Sequence, residues 1–68
     1  MRPLFYVYRP GAAGQTEALR LYSRTGRLVK SFETVTDGQV GTGARLLDEA
    51  KLWARGHRYS IVGPYIGQ

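Results

Sequence analysis

The sequence predicts a small α+β domain, a mostly antiparallel sheet of three to four strands in the order β-β-β-α-β with one helix packed on one face. Three observations point there. The 68 residues suffice for a single domain with an expected radius of gyration of roughly 11 Å. Residues 3–8 and 17–35 carry apolar and aromatic residues in strand-like runs bounded by glycine and proline. Residues 44–57 instead repeat their apolar positions at helical spacing.

The first strand is "PLFYVY", residues 3–8. Its Phe5, Tyr6, Val7 and Tyr8 suit a strand covered on both faces and ended by Pro10 and Gly11. "RPGAAGQT" follows as a loop. Residues 17–35, "EALRLYSRTGRLVKSFETV", read as a β-hairpin in which Leu19 and Leu21 alternate with Arg20 and Tyr22 and Gly26 is free to take positive φ in the turn. Two registers compete. A two-residue Thr25-Gly26 loop sets Leu19 opposite Phe32, whereas a three-residue loop with Gly26 at a bulge sets Leu21 opposite Val29. The one-residue difference flips the faces of the second strand. The bulged form is preferred because threonine is a poor residue for positive φ.

"VTDGQVGTG" leads into the helix "ARLLDEAKLWARGH". There Leu46, Leu47, Ala50, Trp53 and Ala54 fall in one arc of roughly 120°, the width of a core-facing stripe. Thr42 is placed as N-cap and Gly56 as the left-handed residue that ends the helix. Arg55 and His57 sit near the negative helix end, where cations are favoured. "RYSIVG", residues 58–63, is the last strand, and Tyr65 and Ile66 of the tail pack back on the body. The expected core is Phe5, Val7, Leu19, Leu21, Leu47, Trp53 and Ile61. Strand alternation then sends Tyr6 and Tyr8 to the open face, beside the basic residues of the hairpin.

Composition narrows the function. Apolar residues at 43% and charged residues at 22% are ordinary for a folded domain. There is no cysteine and His57 is the sole histidine, so neither a disulfide nor a nitrogen or sulfur metal site is expected within one chain. No cofactor is expected either. The N-terminal apolar run is too short for a signal peptide, and none approaches the ~20 residues that span a bilayer. The chain reads as cytoplasmic, with no membrane partner. Ten basic against five acidic side chains give a net charge of +5, a positive field that favours nucleic acid or an acidic protein surface.

Gly38, Gly41 and Gly43 precede the helix, and glycines before a helix N-terminus can cradle an anion. Gly41, Thr42, Gly43 and Arg45 are the candidate contacts. The spacing G-x-x-G-x-G reverses the dinucleotide fingerprint, and no lysine follows as a phosphate loop requires. A flexible entry into the helix accounts for these glycines without a ligand. On the hairpin, Arg24 and Arg27 fall at the tip, Arg20 and Lys30 are cross-strand neighbours in the bulged register, and Tyr22 sits among them. A basic ribbon can enter a major groove, and tyrosines beside arginines can stack on bases. Four such charges, each on one phosphate, set a salt slope near −3.6 and a roughly 100-fold loss of affinity between 50 and 200 mM salt. The same charges would also guard an exposed hairpin against edge-to-edge pairing. On the helix, Leu52 lies far from the apolar arc. No serine or acid stands at a telling spacing from His57, and no deep cleft is expected, so the chain is not read as an enzyme.

The expected function is therefore binding. The leading reading is a nucleic-acid-binding regulator using Arg20, Arg24, Arg27 and Lys30 with Tyr22, Tyr6 or Tyr8. The alternative is a small protein-binding regulator or inhibitor that docks its positive tyrosine-bearing face on an acidic surface of a larger target. A third is a homodimer formed through a sheet edge. A small chain that starts at Met1 suits an accessory protein of the kind phages and mobile elements encode. No motif is distinctive enough to indicate a family.

Overall fold

A computed structural model describes residues 1–12, 14–35 and 42–66, the side chains of Thr42 and Gly43 excepted. The elements are β1 (Arg2–Arg9), β2 (Thr16–Tyr22), β3 (Leu28–Val35), α1 (Thr42–Gly56) and β4 (Tyr59–Pro64), in the order expected. They form one four-stranded sheet, β3-β2-β1-β4. The pairs β1–β2 and β2–β3 are antiparallel, and β4 runs parallel to β1, so the sheet is mixed. Chain direction explains the parallel pair. Direction reverses at each of three strands and again at the helix, so the fifth element runs with the first.

The helix carries the chain from one edge strand to the other across a single face of the sheet. Beneath it Leu4, Leu19 and Leu21 are at most 1% exposed and meet Leu46 and Ala50. Leu47, Trp53 and Ile61 pack around this centre, half-buried. The strand face expected for β1 is corrected. Leu4 and Tyr6 reach the core, while Phe5 is half-buried and Val7 is exposed, both lying on the other side. Residues 3–8 are apolar on both sides, so their own periodicity holds no face. Pairing decides it, with Leu4 opposite Ile61 and Tyr6 opposite Leu21.

Both hairpin registers occur, one on each side of a bulge. At the tip the Ser23 N–H donates to the Arg27 carbonyl at 2.9 Å and the Gly26 N–H to the Ser23 carbonyl at 3.0 Å, with Gly26 at φ 89°. That is the three-residue loop. Tyr22 accordingly faces Leu28, but the ladder shifts between Leu21 and Tyr22, after which Leu21 faces Lys30 and Leu19 faces Phe32. The extra residue lets Val29 and Phe32 both pack on the core. It also sets Arg20 opposite Ser31 rather than beside Lys30.

The helix does not end on a left-handed Gly56. The His57 N–H still reaches the Trp53 and Ala54 carbonyls at 3.2 and 3.1 Å, and Arg58 takes the left-handed conformation at φ 62°. A side chain there costs about 1 kcal/mol. Arg58→Gly is expected to raise the melting temperature by about 4–8 °C, and an unchanged or lower value in a thermal melt would contradict the strain. In the tail, Tyr65 packs back through a ring stack on Tyr22 at 5.3 Å, whereas Ile66 is 80% exposed. Among the described residues no helix is long and apolar enough to cross a membrane.

Candidate functional site

The hairpin tip ends level with the start of β1. The last β1–β2 pair is Phe5 with Tyr22. Beyond it β1 extends through Leu4 and Pro3 to Arg2, while the hairpin extends only through its turn, Ser23 to Arg27. Arg2 in turn pairs with Tyr59, the first residue of β4, and its N–H donates to the Arg58 carbonyl at 3.4 Å. Three segments distant in sequence thus meet at one end of the sheet. Between them lies a cleft of about 710 Å³ whose wall includes Arg2, Arg24, Arg27 and Tyr59.

No carboxylate stands among the described residues that line it. All three arginines are exposed, so their charges keep their water, and none of the described lining residues is a counter-ion to them. The tip itself is held in shape. The Ser23 hydroxyl accepts from the Arg27 N–H at 3.2 Å and shares a hydrogen bond with the Thr25 hydroxyl at 3.0 Å. The helix arrives at this end with its C-terminus, a partial negative charge of about half a unit that opposes an anion. Arg55 in its last turn and Arg58 just beyond offset it.

Tyr59 is half-buried, with its ring nearly parallel to Trp53, 10° between planes and 5.7 Å between centroids. Trp53 stacks on His57 at 4.4 Å on its own account and meets Phe32 edge-on at 6.2 Å. The His57 Nδ1 lies 2.8 Å from the Trp53 carbonyl. These contacts orient the Tyr59 ring before any ligand arrives.

The sheet and hairpin residues singled out in the sequence are spread over three places. Arg24 and Arg27 are at the tip as expected. Arg20 and Tyr22 lie on the face away from the helix, with one side of the Tyr22 ring covered by Tyr65. Lys30, Tyr6 and Tyr8 lie on the helix side. The Lys30 ammonium sits 5.8 Å from the centre of the Phe32 ring and 6.0 Å from that of Trp53, a cation–π placement that covers the core edge. The anion contacts proposed at the helix entry fall largely outside the described residues. Gly41 is not among them and the Thr42 hydroxyl is not described, while Gly43 is within the helix and Arg45 is exposed near its start.

Tyr8 has a structural task. Its hydroxyl donates to Glu17 Oε2 at 2.9 Å, while Glu17 is 3% exposed and its Oε1 has no partner among the described residues. The hydrogen bond to Glu17 raises the hydroxyl's pKa above the usual 10, helped by burial and by the carboxylate's charge. The stability this supplies is present below the ordinary tyrosine pKa and lost as pH rises through the raised value. Tyr8→Phe is expected to lower the melting temperature at pH 7, because the buried carboxylate loses a donor. It should also flatten the decline that the parent shows above pH 10. Parallel slopes for the two proteins between pH 9 and 11.5 would rule out the linkage.

Arg2 and Tyr59 are the cleft residues that strand and turn patterns alone did not flag. A signal existed in the alternation of chain direction, which makes β4 parallel to β1 and so brings the start of each to the same end. Searches against protein-family models, curated proteins and solved structures found no match to this chain.

Proposed function

We propose that the protein binds nucleic acid, gripping backbone phosphates with Arg2, Arg24 and Arg27 at the open end of its sheet. The observation that supports this reading is the convergence of three arginines, with no carboxylate among the described residues, on one cleft. Guanidinium groups suit phosphate because they donate in a planar fork and stay charged. Three phosphate contacts give a salt slope near −2.7, which is about a 40-fold loss of affinity between 50 and 200 mM salt. Fluorescence anisotropy of labelled oligonucleotides at those two salt concentrations tests it. Binding with that slope supports the reading, and no binding at 50 mM salt removes it.

A second reading rests on the sheet face that the helix leaves uncovered. Val7 and Leu28 are 37% and 51% exposed there, with Arg20 between the strands that carry them. An acidic protein surface would suit it. Such binding would depend on a few anchors and respond less to salt. Arg20→Ala would then weaken capture of the partner, while Arg24→Ala would not.

A further inference from the structure

We infer that the cleft takes an unpaired segment of nucleic acid, with one base stacked on Tyr59 and the flanking phosphates on Arg2, Arg24 and Arg27. This rests on the nucleic-acid reading above and narrows it. Three features of the structure argue for single strands over duplex.

The first is the lack of a projecting element. A ribbon that reads duplex must reach into a groove about 8.5 Å deep. The turn from Ser23 to Arg27 is flanked instead by the start of β1, which extends alongside it to Arg2, and by β4 paired beyond that. The helix is no better suited. Its outer face mixes Arg45, Lys51 and Arg55 with Asp48 and Glu49, all exposed, so it offers phosphates no uniform charge.

The second feature is concavity. The cleft, about 710 Å³ and open to solvent on one side, has the volume of a small-ligand site. A duplex is too broad to enter it, whereas a splayed nucleotide fits the scale. Its lining also has two characters. Its arginines and Thr25 suit phosphate and sugar, while Val29 and Tyr59 suit the apolar faces of a base.

The third is the held aromatic plane. Proteins that bind single strands combine a positive groove with aromatic rings on which bases stack. Tyr59 lines the cleft and is already fixed parallel to Trp53, so a base adds to an existing stack with little ordering of the protein.

The test compares a 12-nucleotide oligo-dT, a 12-nucleotide oligo-U and a 12-base-pair DNA duplex at 50 mM salt, read by anisotropy and by the emission of Trp53, the only tryptophan. Either single strand should bind at least tenfold tighter than the duplex and quench Trp53. Which of the two binds tighter assigns DNA or RNA. Tyr59→Leu should weaken single-strand binding about tenfold while leaving the salt slope and duplex binding as they were, and Tyr59→Phe should bind as the parent does. Duplex binding equal to or tighter than single-strand binding overturns the inference and leaves the nucleic-acid reading standing. So does a parent whose Trp53 emission is indifferent to oligo-dT and oligo-U, a result that holds even if Tyr59→Leu does not fold. Failure of all three probes to bind overturns both.

Discussion

Leu21→Ala is expected to leave the protein largely unfolded at 25 °C. Leu21 is 0% exposed and lies in the centre of the sheet, between Tyr6 on β1 and Lys30 on β3, in the cluster with Leu46 and Ala50. Removing a fully buried leucine side chain costs about 2–5 kcal/mol, and more when the surroundings cannot close the void. Here they cannot close readily, because the ladder shift beside Leu21 fixes the neighbouring strand. A domain of this size holds only about 3–10 kcal/mol in total, and small surface burial puts it at the lower end. The loss is thus comparable with the whole. Leu52→Ala, on a side chain 68% exposed, should change stability by less than about 0.5 kcal/mol. Far-UV circular dichroism and urea titration followed by Trp53 fluorescence measure both. A Leu21→Ala protein as stable as the Leu52→Ala control would mean that the helix does not close over this leucine.

The largest functional effect is expected from Arg24→Ala combined with Arg27→Ala. Each removed phosphate contact takes about 0.9 from the salt slope, so the pair should lower it from near −2.7 to near −0.9. At 50 mM salt that is roughly a 200-fold loss of affinity on electrostatic grounds alone. Both side chains are exposed, so folding should be unaffected, which a thermal melt checks. Arg20→Ala is the matched control. It removes one charge from the other face, as Arg24→Ala alone does at the tip, and should leave the slope within experimental error. Equal losses from Arg20→Ala and from Arg24→Ala would mean that the whole positive surface binds diffusely and that the cleft is not the site.

Much of the fold was legible before any coordinate. The helix stripe Leu46, Leu47, Ala50, Trp53 and Ala54 is visible because helical periodicity is a local property, repeated over about two and a half turns. The tip conformation is legible as a preference, since threonine's poor fit to positive φ favours the three-residue loop with Gly26 over the two-residue one. Arg24 and Arg27 followed from that loop. What was misplaced depended on pairing between distant segments. The apolar run of residues 3–8 carries no phase, so pairing and not alternation puts Tyr6 and Tyr8 on the helix side. The bulge that separates Lys30 from Arg20 lies inside the hairpin, where no turn-like residue announces it.

The sequence by itself determined the order of elements, the helix and its buried face, the tip loop, the net positive charge and the absence of cysteine chemistry. Each of these depends on residue identity or on spacing within one turn or one strand. Tertiary structure alone decided which face of β1 is buried, where the hairpin shifts register, and that Arg2 and Tyr59 join Arg24 and Arg27 in one cleft. Those outcomes depend on which strand lies beside which and in what direction. That is settled by the joint burial of Leu4, Leu19 and Leu21 under the helix, a cooperative choice that no single segment encodes.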